Sequence, residues 1–317
     1  MLIYPFISLF LSTLFISTII IISSFHWLIV WIALELNIIS FIPIITSSFW
    51  IQESESALKY LLFQAIGSSL ILLGISNSIV TFFILIGLLI KLGAAPFHYW
   101  FPSMIKGTSW STAILLITWQ KIGPFILIIS LFSSSIFLLT TTGILRSLVG
   151  GFGGLMQTHF RSLLAYSSIG HIGWIAAVIP ISPFCSFFYL IIYIILSLPI
   201  IIILKKENIS LIKQIKKPIT IGYSLVLIIF IVSLGGLPPF LGFLPKIIVI
   251  YQIDNILTIL FLILGSLINL FYYLNITFSL FLFNPNYKNF FLKNINFSLS
   301  LFLIITCNPL PFFLLVI

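Results

Sequence analysis

The chain has 317 residues, of which 61% are hydrophobic and only 6% charged, with a formal net charge of +9. An ordinary soluble domain carries about 25% charged residues, so this composition excludes a chain solvated mainly by water. Recurring apolar segments of about 20 residues also exclude a membrane barrel, whose strands are short and alternating, and predict helices that cross a bilayer.

Breaks at turn-forming and charged residues divide the chain into about eleven spans, near 3–22, 25–46, 57–77, 79–102, 110–131, 135–155, 160–180, 184–204, 218–252, 255–283 and 295–316. The first lacks a basic leader region and a small-residue cleavage site, so it reads as a retained span. The second, containing WIALELNIISF, is interrupted by Glu35, and the fourth carries Lys91 at the end of TFFILIGLLI. The fifth holds Lys121 within LLITWQKIGPF. An ionisable group at membrane depth costs roughly 2.5 to 3.5 kcal/mol even on the lenient insertion scale, so each is a functional candidate in proton or ion handling.

The fourth and ninth spans are broken by proline and glycine, in KLGAAPFHYWFP at 91–102 and SLGGLPPFLGFLPK at 233–246. Proline removes a backbone donor, and membrane cannot hydrate the carbonyls set free, so such breaks persist only inside protein or beside water. A lysine adjoins each: Lys91 before the first, Lys246 after the second. Ionisable groups at matching breaks point to a transport site built from repeats. The breaks lie five spans apart, and because five is odd a repeated five-helix unit must be inverted relative to its twin. The expected organisation is one repeat at about 1–131, a second at about 132–283 and an additional helix at about 295–316.

Desolvation disfavours a lysine's charged form and a nearby carboxylate restores it, so Glu35 can set whether Lys91 holds its proton. His98, just after the first break, and His171, within YSSIGHIGWI, are candidate neutral shuttles. Lone membrane histidines also serve simply to hydrogen-bond across helices. Tyr166, Ser167, Ser168 and Thr118 can hold water or equally permit close helix packing. Arg146, within GILRSLVGG, either faces a partner or water or marks a shifted span. The nearby GGFGG at 150–154 follows no strand and lacks the ending of a phosphate loop, so it predicts close helix packing.

In a soluble protein the +9 charge would suggest nucleic acid. Here Lys59, Lys106, Arg161, Lys205, Lys206, Lys213, Lys216, Lys217, Lys288 and Lys293 all fall in or beside even-numbered connections, whereas the odd-numbered ones carry only Asp254. That is the positive-inside pattern, placing the amino terminus on the side of synthesis and the carboxyl terminus opposite. Cys185 and Cys307 are isolated thiols without metal-ligand spacing. No Walker motif, dinucleotide fingerprint or metal cluster is visible, so energy must come from an ion gradient or from partner subunits.

Together WIALELNIISFIP, ALKYLLFQA, KLGAAPFHYWFPSMIKGTSWSTAILLITWQKIGP, GGLMQTHFRSLLAYSSIGHIGW and SLGGLPPFLGFLPK resemble the subunit 2 family of the animal mitochondrial NADH dehydrogenase, over about residues 26–250. The resemblance implies an all-α antiporter-like subunit in the membrane arm of a proton-pumping NADH:ubiquinone oxidoreductase, of eleven spans. It implies that Glu35 pairs with Lys91, that Lys121 is the central relay residue and that Lys246 lies on the exit half. It also implies that NAD, FMN, iron-sulfur clusters and ubiquinone belong to neighbouring subunits, that the other membrane-arm and accessory subunits and lipids are its partners, and that it binds no nucleic acid. The implied place is the mitochondrial inner membrane, amino terminus in the matrix and carboxyl terminus in the intermembrane space. A free-standing secondary cation/proton antiporter is the alternative, because buried charges and two repeats would look the same.

Overall fold

The computed structural model describes residues 3–48, 50–76, 81–131, 136–216, 221–238 and 240–283. The expected span at 295–316, together with Lys217, Lys288, Lys293 and Cys307, lies outside them. All regular elements among the described residues are helical: α1 Ile3–Ser23, α2 Trp27–Ile45, α3 Ile51–Ser76, α4 Thr81–Lys91, α5 Trp100–Gly107, α6 Trp110–Ile117, α7 Ile122–Ser130, α8 Ile136–Leu155, α9 Phe160–Val178, α10 Pro183–Lys206, α11 Ile221–Gly235, α12 Phe243–Gln252 and α13 Ile256–Phe283. Among the described residues, seven helical segments are long and apolar enough to cross a membrane, and α4, α11 and α12 are shorter apolar pieces.

Around a mostly apolar core, many large apolar side chains are also exposed, unlike in a water-soluble protein. Leu9, Ile16, Ile19, Ile32, Ile39, Leu62, Leu260 and Phe271 are exposed, while Ser17, Asn37, Ser40, Gln64, Ser147, Ser168 and Asn269 are buried. Apolar groups face outward because hydrocarbon is the solvent, and polar groups turn inward because only protein can satisfy them there.

The chain forms two compact units, Met1–Thr142 and Gly143–Ile317. In the first, α2 lies against α1 and α3, α3 packs on α4 and α5, and α7 lies against α1 and α4. The seam between α3 and α4 is set by Gly67 and Gly87. A Cβ on Gly87 would stand 2.6 Å from the Gly67 carbonyl oxygen, and one on Gly67 would stand 3.0 Å from Lys91 Cγ. Backbone cannot swing aside as a side chain can. Gly87→Ala is therefore expected to cost about 1–3 kcal/mol, seen as a lower unfolding temperature of the purified assembly; an unchanged temperature would show the seam to be slack.

In the second unit, α9 lies against α10, α12 and α13, and α11 against α10 and α13. The glycines at 150–154 do serve close packing. A Cβ on Gly150 would meet Gly170 at 2.6 Å, and one on Gly154 would meet the Tyr272 ring at 2.6 Å. Arg146 sits in the middle of α8, so the span is not shifted. Its side chain is only 1% exposed, with Nε and Nη2 making no hydrogen bond.

Three features differ from expectation. The fourth span ends not near 102 but with α5 at Gly107, so Lys106 lies within a helix. Helix α3 begins at Ile51 rather than near 57, so Lys59 lies within a helix and pairs with Glu55 one turn earlier at 2.5 Å. The fifth span, expected to be continuous, is broken between α6 and α7 by a tight turn at Trp119–Lys121. Pro124 accounts for this: it has no N–H to give the Gln120 carbonyl, and its ring crowds that same group. Thr118 adds to the break by turning its hydroxyl onto the Ile114 carbonyl at 2.7 Å.

Candidate functional site

The first break follows from the order Lys91, Leu92, Gly93. Gly93 takes φ +65°, a left-handed conformation that suits a residue without Cβ. The Ala94 N–H then reaches the Leu89 carbonyl and the Gly93 N–H the Ile90 carbonyl, both at 2.9 Å, the paired bonds of a glycine-terminated helix. The Lys91 carbonyl is met from another helix: Gln64 of α3 donates its Nε2–H to it at 3.2 Å.

The second break repeats the device with a charged donor. Gly236 takes φ +78° after α11, and the Lys246 ammonium of α12 donates to the Gly235 carbonyl at 2.7 Å. A helix carboxyl end carries partial negative charge, so it is a natural seat for a cation. Lys246 is 7% exposed.

Lys91 and Lys121 are brought together on one internal cavity of the first unit. Leu34, Asn37, Gln64, Phe101 and Gln120 share its wall with the two lysines, which are 6% and 4% exposed. The space open to water is about 20 Å³, above the roughly 10–15 Å³ that one water needs. Three polar groups on it, Lys91 Nζ, Asn37 Oδ1 and Gln120 Nε2, are buried without a protein hydrogen bond. Buried polar atoms need partners, and water held between two donors and an acceptor supplies them. The Lys121 ammonium lies over the Phe101 ring, 5.0 Å from its centroid, a contact that attracts a cation more strongly when water is excluded. Phe101 in turn packs on the break, where a Cβ on Gly93 would meet its Cβ at 3.0 Å.

Glu35 is half-buried on α2, within electrostatic reach of Lys91. No contact ion pair between them appears among the described residues. His98 lies apart from the cavity wall; its Nδ1 faces the Pro96 carbonyl at 3.2 Å and its ring lies 4.2 Å from that of Tyr99. His171 belongs to the second unit, where its Nδ1 meets the Tyr189 hydroxyl at 3.0 Å. Tyr166 is used in packing, since a Cβ on Gly153 would fall within its ring.

Sequence reasoning passed over Asn37, Gln64, Gln120 and Phe101. The available signal was spacing alone: Asn37 stands two residues after Glu35 and Gln120 adjoins Lys121.

Interrupted membrane helices with polar side chains on their freed carbonyls, and two lysines on one internal cavity, define an antiporter-like membrane protein. Residues 75–272 match the family model described as NADH:quinone oxidoreductase/Mrp antiporter, TM. The chain is 37% identical over 311 residues to NADH-ubiquinone oxidoreductase chain 2 of Lumbricus terrestris, covering 93% of each. It is 38% identical over 310 residues to that of Anopheles gambiae, covering 92% of this chain and 90% of the relative. A similar fold occurs in respiratory complex I from Thermus thermophilus, with TM-score 0.77 at 23% identity over 87% of this chain and 70% of that one. It occurs also in the Mrp complex of a Dietzia species, with TM-score 0.79 at 16% identity over 86% and 60%. The chain belongs to the NADH-ubiquinone oxidoreductase chain 2 family.

Proposed function

We propose that the chain moves protons within the membrane part of an NADH:ubiquinone oxidoreductase, driven by redox chemistry carried out elsewhere in that assembly. The observation that carries this is the cavity shared by Lys91 and Lys121, with Glu35 acting on the first of them. A proton held as a lysine ammonium can pass to water in the cavity and on to the second lysine, and the charge on Glu35 biases which lysine keeps it. Moving one proton against about 180 mV requires roughly 4 kcal/mol, which is about a thousandfold change in proton affinity. Changing one neighbouring charge in a dry site is an effect of that size.

Lys246 and His171 are assigned the continuation of the relay in the second unit, and His98 at most a supporting place beside the first break. Residues 1–131 and 132–283 are read as two five-helix repeats, supported by the breaks falling in the fourth span of each. The place is the mitochondrial inner membrane, with the amino terminus in the matrix and the carboxyl terminus in the intermembrane space, supported by the sorting of basic residues along the chain. The partners are the other membrane-arm and accessory subunits and lipids. NAD, flavin, iron-sulfur clusters and quinone are assigned to those neighbours and none to this chain. The fold also fits a free-standing antiporter, but the curated relatives at 37% and 38% identity favour the oxidoreductase.

The test is Glu35→Gln in the assembled complex, reconstituted in sealed vesicles with protons counted per electron. Glutamine keeps the shape and removes the charge, so assembly and electron entry are expected to persist while the proton count falls. An unchanged count would remove Glu35 from the relay.

A further inference from the structure

The second unit contains a group of buried hydroxyls that the relay described above does not use. Tyr189 and Tyr193 on α10 and Tyr272 and Tyr273 on α13 are all buried, and their hydroxyls lie close enough to act on one another electrostatically. Facing them from α9 are His171, Ser167 and Ser168. His171 Nδ1 is 3.0 Å from the Tyr189 hydroxyl, and its ring lies 5.1 Å from that of Tyr193. Tyr193 reaches toward Ser168, and Tyr273 toward Ser167 and Tyr272. The Tyr272 and Tyr273 hydroxyls, with Asn269 Oδ1 one turn earlier on α13, are nevertheless left without a well-formed hydrogen bond.

The far end of this group touches the second break. The Tyr273 ring packs on Gly235, where an added Cβ would stand 3.7 Å from its Cδ2, and the Gly235 carbonyl is the one that holds the Lys246 ammonium. Four tyrosines therefore bridge the region between His171 and Lys246. Phenylalanine would fill the same volume without leaving polar atoms to satisfy in a dry interior, so a purely apolar role gives no reason for the hydroxyls.

We infer that Tyr189, Tyr193, Tyr273 and Tyr272 form a hydroxyl path that carries protons between His171 and Lys246. It rests on the proton-relay function proposed above. A hydroxyl accepts on a lone pair and donates through its O–H. When His171 gives a proton to the Tyr189 oxygen, one new O–H bond forms there as the original hydroxyl proton leaves for the next oxygen. Each tyrosine ends neutral, and His171 ends as the neutral imidazole. The last proton passes through water to Lys246 in its neutral amine form, which becomes the ammonium held by the Gly235 carbonyl, with no change of redox state. Water bridging the Tyr272, Tyr273 and Asn269 oxygens completes the steps that the hydroxyls do not close directly.

The test is Tyr189→Phe, Tyr273→Phe and their double variant in the complete complex in sealed vesicles, with Tyr251→Phe, at an exposed position, as control. Full assembly with a proton count per electron reduced in each single variant, and no further reduction in the double, is the expected result. A purely structural role would lower thermal stability and leave the count intact, which would overturn the path. Infrared difference spectra of the unmodified complex during turnover provide a second measurement should a variant fail to assemble. Bands of perturbed tyrosine hydroxyls are expected, and their absence would overturn the inference. Loss of pumping in Lys121→Ala alongside normal counts in the tyrosine variants would reject the hydroxyl path alone; normal pumping in Lys121→Ala would reject the underlying relay.

Discussion

Lys121→Ala is expected to leave the complex assembled and to slow proton-coupled turnover by about a hundredfold, the lower range for losing a positioned proton carrier. Several features place the effect on chemistry rather than on packing. Lys121 is buried at the turn between α6 and α7, its ammonium lies over the Phe101 ring, and its cavity is shared with Lys91. Apart from Lys91, no other group on that wall can both hold a charged proton and release it to water there. Lys121→Met, which keeps most of the side-chain volume, should pump as poorly as the alanine variant. Counting protons per electron in vesicles decides the matter: a methionine variant that pumps like the parent would reduce Lys121 to a packing element.

Gly236→Ala is expected to damage both stability and proton transfer although it removes no functional group. A left-handed residue with a Cβ costs about 1–2 kcal/mol. The added carbon would also stand 2.6 Å from Lys246 Nζ and 3.0 Å from its Cδ and Cε. The lysine is the flexible partner, so it is the one to yield, and the ammonium loses the Gly235 carbonyl. Pumping should therefore fall together with stability. A double-mutant cycle isolates the cause. In a Lys246→Met background, Gly236→Ala should lower the unfolding temperature but have little left to take from proton transfer. Equal losses of pumping in both backgrounds would place the effect of Gly236 elsewhere.

The fold was legible because lipid imposes a narrow rule. Backbone groups must be satisfied within each span, so long apolar runs are helices, and Pro-Gly clusters next to lysine mark their breaks. The site was legible to the same extent: Glu35, Lys91, Lys121 and Lys246 stand out because charge is costly in hydrocarbon. The turn at Trp119–Lys121 escaped notice because a single Pro124 within an apolar run also fits a kinked but continuous helix. The early start of α3 escaped for a related reason, since Gln52 to Ser56 are polar enough to read as a connection, whereas in the helix Glu55 pairs with Lys59 on its surface and Glu53 and Ser56 turn inward.

Composition and the position of each charge determined by themselves that the chain lives in a bilayer, as helices, with a few ionisable groups kept inside. Those are one-dimensional facts, because a charge at membrane depth is costly on whichever helix carries it and is visible in the run of residues around it. Which of those groups meet was decided only by tertiary packing. The Gly67 and Gly87 seam sets Lys91, the Phe101 ring lies under Lys121, Gln64 meets the Lys91 carbonyl, and Tyr189 and Tyr193 of α10 meet His171. Contacts of this kind depend on helix rotation and close approach, which residues far apart in the chain settle jointly and no single stretch of sequence encodes.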